Sequence, residues 1–129
     1  MTKQVFKEGS EEQREFERCV SMYENYRSLL SKNVDCTNPQ EILQHFTDLS
    51  GALAIGVLCK AKLQELTDKL SVKYMMSLNT ENLSEADKKV KLAFSIGDCS
   101  FYNVAMEMLI KSSYAKIEML KYSLQFSKK

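Results

Sequence analysis

The sequence contains few residues that break helices. Its 129 residues include four glycines and a single proline. So few breaking residues favour long helices over many short strands. No stretch rich in Gly, Ser or Pro divides the chain, and its length is that of one domain. We therefore predict a single helical domain over residues 1–129, in which residues 1–9 form a flexible N-terminal tail.

Residues and motifs that carry chemistry are also scarce. His45 is the only histidine, and the four cysteines form no C-x-x-C pair. The sequence has no H-E-x-x-H or E-x-x-H motif for a zinc or di-iron site, and no Gly-rich phosphate loop. A nucleophilic triad cannot be assembled around one histidine without further support. We expect no enzymatic activity, no catalytic residue, no metal, no cofactor and no small-molecule substrate, and we interpret His45 as a partly exposed helix residue.

A long hydrophobic run is missing as well. The longest uncharged apolar stretch, Leu49–Cys59, has eleven residues and lies between Asp48 and Lys60. A membrane span needs about 18 or more apolar residues. Only Ile55 and Val57 are β-branched, which argues against a buried strand. The stretch is therefore predicted to be the middle of a long helix. Because the polar N-terminus is unlike a signal peptide, we expect a cytoplasmic protein without membrane contact.

Capping signals place the helix starts. Ser10 opens a capping box, Asn38 precedes the only proline, and Ser84 begins another capped segment. Apolar residues then recur every three or four positions, as on one face of a helix. We predict an all-α fold of three or four antiparallel helices forming a bundle. Its long central helix covers about 39–77, and a long C-terminal helix covers 101–126.

The segment that follows Ser84 leaves two alternatives open. A short helix there would turn Val90 and Phe94 inward. The letters SIGDCS that come next suit either a turn or a weak point in one continuous helix. The pattern alone does not decide whether residues 84–126 form one helix or two.

The C-terminal helix is apolar over most of its circumference. One apolar side carries Phe101, Ala105, Met108, Ala115, Met119, Tyr122 and Phe126. A helix of this kind must be covered on two or more sides, so either it is the centre of its own bundle or a second copy covers part of it. Small residues in the central helix would also let another helix approach closely. The candidate helix–helix or subunit contacts are Gly51, Ala52, Gly56, Met106, Leu109, Ile110, Ile117, Leu120 and Leu124.

Lysines gather in two parts of the sequence, although the net charge is only +1. Proteins that bind single strands combine a positive groove with aromatic platforms. Acidic residues dilute both clusters, but an oligomer would repeat them. The candidate nucleic-acid contacts are Lys60, Lys62, Lys69, Lys73, Lys88, Lys89 and Lys91.

The order of these segments resembles a known type of protein. The segments are NPQEILQHFTDLSGALA followed by CKAKLQELTDKL, then NLSEADKKVKLA, and finally YAKIEMLKYSLQF. Over residues 38–126 this layout resembles small all-α accessory proteins of tailed phages, of the recombination-mediator (UvsY-like) type. The resemblance implies an oligomeric, non-enzymatic protein of the host cytoplasm that brings single-stranded DNA together with recombination proteins. It contains no matching motif, so it carries over no site residue.

These observations lead to one expected function and two alternatives. We expect a non-enzymatic helical interaction protein that forms a homo-oligomer, binds a protein partner and assists DNA recombination or replication in a phage. One alternative is a small phage-type inhibitor that binds and blocks a host defence protein. The other is a structural or assembly component of a virion. All three work by presenting helix faces.

Overall fold

A computed structural model of the chain describes residues 6–127 and consists of three helices. Helix α1 spans Glu11–Leu30, α2 spans Pro39–Leu78 and α3 spans Glu85–Ser127. No strand occurs in this described part of the chain. The predicted all-α bundle, with a long central helix and a long C-terminal helix, is confirmed.

The helices begin where the sequence predicts caps. The Ser10 hydroxyl accepts the backbone N–H of Gln13 at 3.2 Å, and the Asn38 side chain accepts two backbone N–H groups in the first turn of α2. At α3 the hydroxyl of Ser84 accepts the backbone N–H of Asp87, also at 3.2 Å. Each cap satisfies donors that the first helical turn would otherwise leave unpaired.

The predicted N-terminal tail is described only in part. Residues 1–5 lie outside the described residues. Phe6 packs against Phe16 of α1 with ring centroids 5.4 Å apart, and Gly9 donates its N–H to Oε1 of Gln13 at 2.7 Å. Residues 6–9 therefore make contacts with the first turns of α1.

Helix α3 settles the alternative that the sequence left open, because residues 85–127 form one helix. The SIGDCS segment lies inside it and makes no turn. Within this segment Cys99 is fully buried against α2, where its Sγ lies 3.6 Å from the carbonyl oxygen of Leu63 and 3.2 Å from Oγ1 of Thr67. Packing on α2 thus stabilises helical geometry where local propensity is weak.

The three helices form an up-down-up bundle. Glu15 near the start of α1 pairs with Lys62, whereas Tyr26 near its end reaches Gly56, so α1 and α2 are antiparallel. Helix α2 and helix α3 form a long antiparallel hairpin, since Cys99 contacts Thr67 and Met106 approaches Gly56. At about 1.5 Å per residue, α1 is about 30 Å long and the other two are about 60 Å or more, so α1 covers only part of the hairpin.

The core lies where the three helices meet. Its apolar part combines aliphatic side chains of α2 and α3 with tyrosines of α1. Fully buried side chains in the described residues are Ile42, Leu49, Leu63, Leu66, Cys99, Met106, Ser113 and Leu120.

His45 is buried, contrary to the prediction that it is partly exposed. Only 3% of its surface is accessible. It lies three residues after Ile42 and four before Leu49, which are both fully buried, so all three share the inner face of α2.

Val90 and Phe94 point outward, contrary to the prediction that they point inward. They are 69% and 73% exposed. In one continuous α3 they lie about half a turn away from Cys99, which faces α2. The prediction was wrong because this helix carries apolar residues on two opposite faces, and the pattern does not indicate which face packs inside.

Candidate interaction surfaces

One face of α3 is buried in the chain's own core. Met106 and Leu120 are fully buried, Ile110 and Ile117 are nearly so, and Leu109 is half-buried against the same cluster. The sixth predicted contact on this helix, Leu124, also packs against the core. All six α3 residues predicted as helix–helix or subunit contacts therefore lie on the side that faces α1 and α2.

The opposite face of α3 is apolar and exposed. We call it the outer stripe, and each of its large side chains is between 50% and 73% exposed. Its large residues are Val90, Phe94, Phe101, Val104, Met108, Met119, Tyr122 and Phe126. Gly97 and Ala115 lie on the same line.

The outer stripe is straight. With about 3.6 residues per turn, residues 18 apart return to the same side of the helix. Val90, Met108 and Phe126 are spaced in this way, and the other members of the stripe lie close to the line that they define. The stripe runs for about ten turns, or about 54 Å.

The area of the outer stripe is large for a monomer. A fully exposed aromatic residue offers roughly 150–250 Å². At the exposures found here, the eight large side chains present on the order of 1,000 Å² of mostly apolar surface, whereas the largest patch on a typical monomer is about 300–600 Å². Apolar patches of this size are typical of surfaces that bind another protein, a membrane or a ligand.

The three small residues of α2 that were predicted as contacts, Gly51, Ala52 and Gly56, have different surroundings. A methyl group placed on Gly56 would lie 2.5 Å from Cε2 of Tyr26 and 3.5 Å from Sδ of Met106. Gly56 therefore allows the ring of Tyr26, in α1, to approach the backbone of α2. Ala52 is half-buried and packs against the core, whereas Gly51 is exposed, with nothing within 4 Å of its Cβ position. Of these three predicted contact residues, Gly51 makes no helix–helix contact within the described chain.

Tyr26 and Ser113 join α1 to α3 at this level. The hydroxyls of Tyr26 and Ser113 are hydrogen-bonded, and the Ser113 hydroxyl also lies 2.7 Å from the carbonyl oxygen of Leu109. Burial raises the pKa of Tyr26, although the hydrogen bond to Ser113 opposes this. The Tyr26 side chain is thus positioned both by its ring beside Gly56 and by its hydroxyl on Ser113.

Lys116 is a structural residue that the sequence did not reveal. Its Nζ donates to the carbonyl oxygens of Leu30 and Lys32, at 2.6 Å and 2.8 Å, at the C-terminal end of α1. A cation there satisfies carbonyl groups that the helix end leaves unpaired. Burial lowers the pKa of Lys116. Its neighbours in sequence, Ala115 and Ile117, give no local signal of this role.

His45 lies in the electrostatic field of Lys116. Neither ring nitrogen of His45 has a hydrogen-bond partner among the described residues. Burial lowers its pKa, and the charges of Lys116 and Lys32 lower it further, against an opposing effect of Asp48. The site therefore favours the neutral imidazole.

Three of the four thiols lie inside the bundle. Burial raises the pKa of Cys19 to about 12, and it also raises the pKa values of Cys59 and Cys99. Cys36 is exposed in the segment between α1 and α2. Since the thiolate is the nucleophile and the metal ligand, the three interior thiols are poorly suited to either role. No group of three His, Cys, Asp or Glu residues within residues 6–127 is arranged to hold a metal ion.

Four of the seven candidate nucleic-acid contacts are paired with carboxylates. Lys62 lies 3.5 Å from Glu15 and 3.3 Å from Glu65, and Lys69 lies 3.1 Å from Glu65. The other two paired lysines are Lys88, 3.5 Å from Glu85, and Lys91, 3.3 Å from Glu81.

The remaining three lysines, Lys60, Lys73 and Lys89, form no ion pair in the described part of the chain. Lys69 and Lys73 line a cavity of about 200 Å³ beside the start of α1. The seven lysines divide between the middle and end of α2 and the start of α3.

A second cavity lies at the C-terminal end of α3. It is an open groove of about 910 Å³ beside Cys36, and Met119, Tyr122 and Phe126 of the outer stripe line it. The apolar surface of the stripe thus continues towards the segment between α1 and α2.

Helix α2 is long and apolar enough to cross a membrane, by length and composition alone. An 18-residue window within it has a mean hydropathy of 1.4, and 22% of that window is buried. Core helices of soluble proteins pass the same test, so this property does not distinguish the two.

Comparisons with protein-family models, with curated proteins and with solved structures each find no match. The resemblance to UvsY-like phage proteins therefore stays a prediction.

Proposed function

We propose that the chain is a non-enzymatic interaction protein that acts as a homo-oligomer through the exposed faces of its long helices. The observation that carries this proposal is the two-sided character of α3. One apolar face of α3 is buried in the chain's own bundle, and the opposite face exposes the outer stripe over about 54 Å. A helix with two apolar faces needs cover on both sides, and α1 and α2 cover only one.

The most concrete form of this function is an accessory role in DNA recombination or replication in a phage. The layout of residues 38–126 supports it, as do Lys60, Lys73 and Lys89, which form no ion pair in the described part of the chain. An oligomer repeats these charges, and each phosphate contact adds to affinity for single-stranded DNA. The exposed Tyr114, which lies outside the outer stripe, supplies a face on which a base can stack.

Fluorescence anisotropy with a labelled single-stranded oligonucleotide tests this role. Binding is expected at about 50 mM salt and should weaken steeply towards about 200 mM. The double variant Lys73→Glu, Lys89→Glu should bind at least tenfold more weakly. Arg18→Glu, combined with Lys121→Glu, makes the same change in charge away from the seven candidate lysines and from the outer stripe, and it serves as the control. No binding by the wild-type chain at low salt would remove the DNA role and leave self-association untouched.

The pairing of most lysines supports a second candidate, a small inhibitor that binds and blocks a host defence protein. Four of the seven candidate lysines are neutralised by carboxylates, whereas the outer stripe is exposed. Recognition by apolar surface favours a protein partner over a nucleic acid. A purified host nuclease that forms a one-to-one complex with the chain, and loses it with Phe101→Glu, would support the inhibitor.

A further inference from the structure

We propose that the outer stripe of α3 binds the outer stripe of a second copy in antiparallel orientation, about a two-fold axis beside Met108. This inference rests on the proposed homo-oligomeric function and adds the surface, the orientation and the paired residues. Two stripes that are straight over about 54 Å can lie along each other without supercoiling of the helices.

The sizes of the side chains favour this arrangement. Phe101 lies seven residues before Met108 and Ala115 lies seven residues after it, so antiparallel pairing places Phe101 opposite the partner's Ala115. Met119 and Gly97 lie eleven residues away on either side and face each other in the same way. Nothing lies within 4 Å of the Cβ position of Gly97, so its surroundings have room for a large side chain. In these two pairs a large residue thus meets a small one, which favours close packing.

The charges beside the axis favour the same orientation. Glu107 and Lys111 lie on one edge of the stripe, on either side of Met108. Within one chain their charged atoms are 3.9 Å apart, and the side chain of Lys111 is largely exposed while that of Glu107 is half-exposed. Antiparallel pairing brings Glu107 of each copy towards Lys111 of the other, twice across the axis. Parallel pairing would instead set this edge against the opposite edge of the partner, so these Glu107–Lys111 pairs would not form, and it would set Gly97 against Gly97, which leaves a gap.

The exposed area is sufficient for a stable dimer. A standard interface buries about 800 Å² on each partner. The outer stripe offers on the order of 1,000 Å² per copy, from side chains whose transfer from water is favourable. A membrane surface fits less well, because interfacial helices carry mainly Lys and Arg on their polar side. Here Glu107 and Glu118 lie among the lysines that flank the stripe.

Light scattering and one bulky substitution test the surface. The wild-type chain should have about twice its monomer mass of 14.8 kDa. Ala115→Trp adds apolar area, yet it should dissociate the dimer because the indole clashes with the partner's Phe101. Tyr114→Trp is the matched control, since residue 114 is exposed but lies outside the stripe, and it should stay dimeric. Circular dichroism should show equal helix content in all three proteins.

Disulfide cross-linking tests the orientation. In a Cys36→Ser background, which removes the exposed thiol, Met108→Cys should form a covalent dimer when oxidised glutathione is added. Val90→Cys alone should not cross-link, because antiparallel pairing places the two copies of residue 90 at opposite ends. A mixture of Val90→Cys and Phe126→Cys proteins should cross-link. Efficient cross-linking of Val90→Cys with itself would overturn the antiparallel orientation.

The possible outcomes separate this inference from the proposed function. A wild-type chain of monomer mass contradicts both the homo-oligomeric function and the stripe dimer. A wild-type oligomer that keeps its mass with Ala115→Trp preserves the function and overturns the inferred surface. Loss of the oligomer with both Ala115→Trp and Tyr114→Trp also contradicts the inference, because a substitution outside the stripe would then dissociate the oligomer as readily as one inside it.

Discussion

At the scale of single residues, the two glycines in the middle of α2 show that a residue's position around the helix determines how much space lies beside it. Gly56 lies under the Tyr26 ring, whereas Gly51 faces outward with open space around its Cβ position. The sequence identifies both as small residues suited to close contact. Only the position of α1 distinguishes them, and no local pattern in α2 encodes that position.

These glycines provide a matched pair of alanine substitutions. Gly51→Ala should stabilise the chain by up to about 1 kcal/mol, because alanine has the higher helix propensity and meets no neighbour. Gly56→Ala should destabilise it by about 1–2 kcal/mol, because the new methyl group displaces a ring that is hydrogen-bonded to Ser113. Urea unfolding of both variants measures the free energies. Equal effects at the two positions would contradict the close approach of α1 at Gly56.

His45 should make the stability of the fold depend on pH. Its pKa in the folded chain is lowered from the usual 6.5 by burial and by Lys116 and Lys32, with Asp48 opposing. The unfolded chain therefore takes up a proton at higher pH than the folded chain. Stability is fully present above about pH 6.5 and should decrease as the pH falls from there towards the lower folded pKa.

Urea unfolding at a series of pH values between about 7.5 and 5.5 measures this effect. The wild-type chain should lose stability over this interval, and His45→Leu, which cannot be protonated, should lose much less. If the two proteins follow the same curve, another group is responsible. The sequence could not predict this property, because the burial of His45 depends on which face of α2 meets the rest of the bundle.

At the scale of helices, α2 was predictable and α3 only in part. Helix α2 has an Asn-Pro cap and an apolar stripe, and its predicted end at Ser77 is within one residue of the observed end at Leu78. Helix α3 contains Gly97 and Asp98, two residues that in a sequence usually indicate a turn. Because α3 is apolar on two opposite faces, its pattern also could not indicate which face points inward. The outward position of Val90 therefore had no reliable signal in the sequence.

Lys116 should be required for the C-terminal turn of α1. Lys116→Met keeps much of the aliphatic side chain but removes the donor to the carbonyl oxygens of Leu30 and Lys32. We expect a loss of about 1–2 kcal/mol, since hydrogen bonds from a charged group contribute about 1.5–3 kcal/mol and the site is partly exposed. Hydrogen exchange should speed up at residues 27–31. Lys121→Met is the control, because its ion pair with Glu118 is exposed and contributes little.

At the scale of the whole molecule, the short α1 explains why so much apolar surface remains exposed. Helix α1 covers one side of the α2–α3 hairpin and half its length, and the outer stripe lies on the opposite side of α3. The sequence predicted that α3 needs cover on two sides. It could not predict which residues form the second side, since the candidate contacts chosen from the pattern, such as Met106 and Leu120, are the ones that the chain buries itself.

If the outer stripe is covered by a second copy, folding and association must be coupled. Dimerisation then stabilises the folded state by mass action, so the unfolding midpoint should rise with protein concentration. A tenfold increase in concentration should raise the midpoint of the wild-type chain and leave that of the Ala115→Trp monomer unchanged. Thermal unfolding followed by circular dichroism measures both. A wild-type midpoint that does not change with concentration would mean that the three helices are stable with the stripe in contact with water.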